Sequence, residues 1–152
     1  MIEIKRTNSQ DQDFIELVDK LDRELAVRDG DDHEFYHQFN SIDSIKHAVV
    51  VYAEENPVAC GAIKAFDEDS MEVKRMYTIP VQRGNGFAAI VLTELEKWTS
   101  ELGYNSCVLE TGMQQPEALA LYRKHGYEAI PNYGQYAGVP NSKCFAKNLR
   151  RS

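Results

Sequence analysis

Apolar and polar positions change period several times along the chain, and each change marks an element. Ile2 and Ile4 alternate with Glu3 and Lys5 as far as Arg6, the two-residue repeat of a strand. Phe14, Ile15, Val18, Leu21 and Leu25 then recur at helical spacing, with Ser9 or Asp11 placed to cap the helix they predict. Arg28-Asp29-Gly30-Asp31-Asp32 breaks that pattern, and a short irregular helical stretch is expected over residues 35–39. Residues 47–54 (HAVVVYAE) and 58–66 (VACGAIKAF) read as two strands of a hairpin turning at Glu55-Asn56-Pro57. Asp67-Glu68-Asp69-Ser70 is a second polar turn, leading into a third strand over residues 72–79.

After Gly84 a long amphipathic helix carries Ile90, Leu92, Leu95 and Trp98 and ends near Gly103. Residues 106–110 form a strand, 116–125 a helix and 144–149 a last strand, with 127–130 as a further short one. This order predicts an α/β (α+β) fold in which a mixed sheet carries helices on both faces.

Composition narrows the classes. At 152 residues the chain fits one domain spanning 1–152, with 43% apolar and 27% charged residues as in an ordinary globular protein. No apolar run approaches the roughly 18 residues of a membrane span, so no membrane partner is expected. Met1-Ile2-Glu3-Ile4-Lys5-Arg6 lacks the order of a signal peptide, so a cytoplasmic protein is expected. A net charge of −7 argues against a nucleic-acid partner, because phosphate backbones are held by clustered Lys and Arg. It mildly favours cationic partners such as amines. Cys60, Cys107 and Cys144 lie far apart without CxxC spacing, so they are expected to be reduced and buried.

Candidate chemistry is concentrated in residues 76–88, Met76-Tyr77-Thr78-Ile79-Pro80-Val81-Gln82-Arg83-Gly84-Asn85-Gly86-Phe87-Ala88. A strand ends, Pro80 interrupts, and a glycine turn opens straight into a helix. Free N–H groups at a helix N-terminus make an anion site suited to a pyrophosphate, and Arg83 adds a fixed positive charge. A plain strand-to-helix turn would read the same, and the segment is neither a Walker loop nor a full GxGxxG fingerprint.

Arg83-Gly84-Asn85-Gly86-Phe87-Ala88 resembles the Q/R-x-x-G-x-G/A signature of the GCN5-related N-acetyltransferase (GNAT) superfamily. Residues 109–127, where Ala120-Leu121-Tyr122-Arg123-Lys124-His125-Gly126-Tyr127 ends a helix in LYxxxGY, resemble its second hallmark. The resemblance is strong over residues 58–130 and weak before residue 45, the part that usually shapes the acceptor site. It implies the GNAT fold, a mostly antiparallel sheet of six to seven strands, and N-acetyl transfer from acetyl-CoA to an amine of a small molecule or peptide. No metal is implied. Such sheets commonly pair across a dimer, so a homodimer is one expected state.

The resemblance also implies roles for residues. Met76, Tyr77 and Thr78 would carry the pantetheine arm along their strand through backbone groups, with a splay or bulge freeing an N–H for the oxyanion. Arg83, Gly84, Asn85, Gly86, Phe87 and Ala88 would hold the pyrophosphate. Gln115 stands where many relatives place an Asn against the cofactor. Tyr122 would be the general acid toward the CoA thiolate, although Ala118, Leu121, Tyr122 and His125 also share one helical face suited to the core. Glu110 and Glu72 compete as general base, with Glu110 favoured, and either is also a plausible solvated strand-end charge. The loop over residues 131–138, with Tyr133 and Tyr136, is expected to shape the acceptor pocket.

His33-Glu34-Phe35-Tyr36-His37 matches the HExxH zincin pattern. It follows an acidic turn, lies in at most a short helix and has no evident third ligand downstream, so a chance match is the better reading. An alternative use is that Phe35, Tyr36 and Phe39 line the acceptor pocket, with His33 or His37 touching substrate. A CoA-binding module without catalysis stays open beside the enzyme.

Overall fold

A computed structural model of the protein describes residues 1–29, 45–112 and 115–149. Its elements run β1 (Ile2–Thr7), α1 (Gln12–Asp29), β2 (His47–Ala53), β3 (Asn56–Ala65), β4 (Ser70–Thr78), α2 (Phe87–Glu101), β5 (Ser106–Gly112), α3 (Pro116–Lys124), β6 (Glu128–Ile130) and β7 (Ser142–Asn148). The strands form one seven-stranded sheet in the order β1-β2-β3-β4-β5-β7-β6. Every neighbouring pair is antiparallel except β4 and β5, which run parallel. The stretch expected over residues 35–39 and the HExxH match at 33–37 lie outside the described residues.

The sheet is buried on both faces, which explains the near-continuous apolar run of β2. Ala48 and Val50 point to one face and Val49 and Val51 to the other, all fully buried. On the first face α1 packs Phe14, Leu17, Val18 and Leu21 against Ala48, Val50, Cys60 and Tyr77. On the second, Val91, Leu92 and Leu95 of α2 and Tyr122 of α3 cover Val49, Val51, Ile63, Val73 and Leu109. Asp11 caps α1: its Oδ1 accepts from the Phe14 N–H at 3.1 Å, satisfying one donor of the first turn. Of the two candidates at this end, Asp11 is therefore the cap. All three cysteines are free and buried in this core.

The first hairpin turns one residue earlier than the Pro57 signal implied. Glu54 and Glu55, at φ 49° and 73°, are the two turn residues, and Asn56 and Pro57 belong to β3. Two consecutive left-handed residues give the turn whose twist matches the flanking strands, and that geometry prevails over residue preference. Pro57 is tolerated because the β2–β3 register shifts between Val51 and Tyr52 and the β3–β4 ladder begins only at Ala59.

Two irregularities in β4 position the functional site. Ala62 faces Lys74 and Cys60 faces Tyr77, so Gly61 opposes both Arg75 and Met76: a bulge, with Arg75 in left-handed backbone at φ 59°. The parallel ladder with β5 is the second. It runs only from Ser70↔Ser106 to Val73↔Leu109, although β4 continues to Thr78 and β5 to Gly112. Beyond that pair the two strands part.

Candidate active site

A cavity of about 450 Å³ opens where β4 and β5 separate. Its walls are the second half of β4, the end of β5, the glycine turn with the first turn of α2, one face of α3, and Leu21, Glu24 and Leu25 of α1. Met76, Tyr77, Thr78, Arg83, Gly84, Gly86, Phe87, Ala88, Gln115, Tyr122, Glu110 and Glu72 all line it. Asn85 does not. Its side-chain amide donates to the Gln82 carbonyl at 3.1 Å and braces the turn from outside, where an Asn commonly bonds nearby backbone.

The turn leaves the start of α2 open. Gly84 and Gly86 take φ of 86° and 84°, which brings the chain round sharply, and Gly86 as N-cap offers no side chain to the first turn. The N–H groups of Phe87, Ala88 and Ala89 thus have no intrahelical acceptor, and the helix dipole adds to their attraction for an anion. Arg83 lies beside them. Its Nε donates to the Thr78 carbonyl at 2.9 Å, its guanidinium lies 5.6 Å from the Tyr77 ring centre, and its Nη2 meets Glu24 Oε2 of α1 at 2.7 Å.

At the bulge, the Arg75 carbonyl accepts from the Cys60 thiol, Sγ to O 3.4 Å, so it is turned toward β3. In a planar trans peptide the N–H points opposite to the C=O. The Met76 N–H therefore points opposite to that carbonyl, away from the Cys60 thiol.

Tyr122, on α3, is 5% exposed and packs edge-on to Tyr127 with ring centres 5.7 Å apart. Burial and then the negative charge of Glu110 push its hydroxyl above the ordinary tyrosine range, because both oppose a phenolate. Across the cavity mouth, Glu72 Oε2 accepts from the Tyr133 hydroxyl at 2.7 Å, and Oε1 lies 3.7 Å from Lys74 Nζ. Tyr136 is buried against Cys144 and lines the same cavity. Burial first, then Glu110 and Glu72, raise its hydroxyl as well.

The cavity thus combines apolar walls with a helix start that has no side-chain cap, a proton-bearing hydroxyl and two carboxylates. Sequence reasoning placed most of these residues but missed the contacts from α1 and the Tyr133–Glu72 bond. The partners lie 53 (Asp22–Arg75), 59 (Glu24–Arg83) and 61 (Tyr133–Glu72) positions apart, and no local pattern links them.

The chain matches the acetyltransferase (GNAT) family over residues 14–127. It is 30% identical over 152 residues to an IAA acetyltransferase of Azospirillum brasilense, covering 97% of this chain and 98% of that one. A proposed acyl-CoA N-acyltransferase from Klebsiella pneumoniae superposes with a TM-score of 0.82 at 27% identity, covering 98% of each chain. The PaiA N-acetyltransferase of Thermoplasma acidophilum, solved in complex with coenzyme A, shares the fold with a TM-score of 0.72 at 16% identity, covering 97% of this chain and 99% of that one. With its split sheet, open helix start and these relatives, the chain belongs to the GNAT family and is an acyl-CoA-dependent N-acyltransferase.

Proposed function

We propose that the protein moves the acetyl group of acetyl-CoA onto the primary amine of a small molecule or peptide by direct attack. The observation that carries this reading is the parting of β4 and β5 beside an uncapped helix start, which joins an anion site to a narrow slot. The pyrophosphate would meet the first-turn N–H groups of α2 and Arg83, and the pantetheine arm would follow Met76 to Thr78.

The amine nitrogen attacks the thioester carbonyl carbon, and the Met76 N–H supports the charge that develops on its oxygen. As the C–S bond breaks, Tyr122 gives its proton to the leaving thiolate, a role that suits a hydroxyl kept protonated by burial and by Glu110. The proton leaving the amine passes to Glu110. Tyr133 and Lys74 already engage both oxygens of Glu72, which favours Glu72 as a fixed carboxylate that orients a cationic acceptor. Glu110, on β5 beyond the last pair with β4, is the better base.

Calorimetric titration of acetyl-CoA, beside an Arg83→Ala, Gly86→Glu double variant, tests the cofactor site. Micromolar binding lost in the variant is expected, and absence of binding to any acyl-CoA would overturn the reading. Turnover is then measured over a panel of amines. Glu110→Gln should lower kcat about a hundredfold at neutral pH, with the deficit shrinking as pH approaches the acceptor amine's own pKa. A deficit constant with pH would move the base elsewhere.

A further inference from the structure

Arg75 is an unlikely residue for left-handed backbone, yet it sits at φ 59° in the middle of β4. Its side chain is almost fully buried and runs to α1, where Nη1 lies 3.0 Å from Asp22 Oδ1 and Nη2 donates to Asp22 Oδ2 at 3.1 Å. The Nη2 hydrogen bond sets the direction of the guanidinium and the close Nη1–carboxylate ion pair adds charge, while among the described residues Nε and Nη1 make no hydrogen bond of their own. This contact anchors the one residue whose backbone makes the bulge. Gly61 leaves room for that bulge: a Cβ there would stand 2.6 Å from Met76 Sδ.

From these contacts we infer that Asp22 is a positioning residue for acyl transfer, holding through Arg75 the backbone turn that points the Met76 N–H at the reacting carbonyl. The inference rests on the acyltransferase reading of the cavity. Asp22 touches neither the glycine turn nor Arg83, so its contribution falls on the transfer step rather than on cofactor binding. The adjacent ion pair between Glu24 and Arg83 ties α1 to the cofactor loop separately.

Asp22→Asn is expected to lower kcat about tenfold while acetyl-CoA affinity by calorimetry stays within about twofold, and Asp22→Glu to recover part of the loss. Wild-type kcat in Asp22→Asn would overturn the inference. Removing one partner leaves a buried charge and risks unfolding, so two double variants that lack both charges complete the test. Asp22→Ala with Arg75→Gly and Asp22→Ala with Arg75→Ala differ only by a Cβ at a left-handed position. The glycine form should turn over about fivefold faster, since glycine adopts this backbone freely. Equal rates would overturn the inference.

Amide hydrogen exchange over residues 73–78 gives a readout that needs no turnover. Faster exchange there in Asp22→Asn, with the rest of the sheet unchanged, is expected, and unchanged exchange counts against the anchor. Wild-type protein that binds acetyl-CoA but acetylates no amine would sink the functional reading, and exchange would then decide on the anchor alone.

Discussion

Burial and the Glu110 charge both keep the Tyr122 hydroxyl protonated, which gives the part proposed for it in the reaction a distinct pH signature. A proton donor must hold its proton, and this one has a pKa above the ordinary value of 10.0. Its contribution is therefore complete at neutral pH and is lost only above about pH 10. We expect kcat to show no fall between pH 7 and 10, and an alkaline limb centred well below 10 would assign the acid to another group. Tyr122→Phe keeps the ring in the core and removes only the hydroxyl. It should reduce kcat between tenfold and a hundredfold with acetyl-CoA affinity unchanged, as read by steady-state rates beside calorimetry. Tyr122, Arg83 and the glycines were legible in the sequence because their signals are local: a helix ending in LYxxxGY and a turn opening a helix. The Tyr133 bond to Glu72 was not, since nothing near residue 133 reports a partner 61 positions away.

At the scale of elements, the tight contact of α2 with the sheet depends on a missing side chain. A Cβ at Gly61 would lie 2.7 Å from Val91 Cγ1 and 2.9 Å from Leu95 Cδ1, besides its clash with Met76. Both helix residues are fully buried and have little room to yield. Gly61→Ala should cost about 1–3 kcal/mol in urea unfolding and should lower kcat as Met76 shifts. Stability equal to wild type would show that α2 lifts off without penalty. Most elements were readable from period alone, including strands β2 to β5 and both long helices. The bulge was expected from family resemblance, but an arginine in left-handed backbone carries no signal of its own. The hairpin turn was misplaced for a related reason. Two glutamates are poor predictors of left-handed geometry, and Pro57 drew the expected turn toward itself.

For the whole molecule, the buried thiols tie stability to alkaline pH. Burial pushes Cys60 up to about 12 and Cys107 up to about 11, against an ordinary value of 9.0. A thiol whose folded pKa lies above its unfolded value favours the folded state fully below about pH 9, and that advantage is lost as pH rises through the folded value. Stability should decline between pH 9 and 12, and Cys60→Ala should flatten that decline in denaturant titrations. An equal slope in the variant would place the titrating groups elsewhere.

The parting of β4 and β5 has a further consequence for what can associate with the protein. Strands with unpaired peptide groups normally sit at the rim of a sheet, where they recruit other chains and seed aggregation. Here the two strands part inside the sheet, each still paired to its other neighbour, in a wedge that narrows to the last pair, Val73↔Leu109. The kind of opening that recruits foreign strands at a rim is here turned inward and walled by residues of all three helices, so parting the sheet adds no new edge at which a second chain could pair.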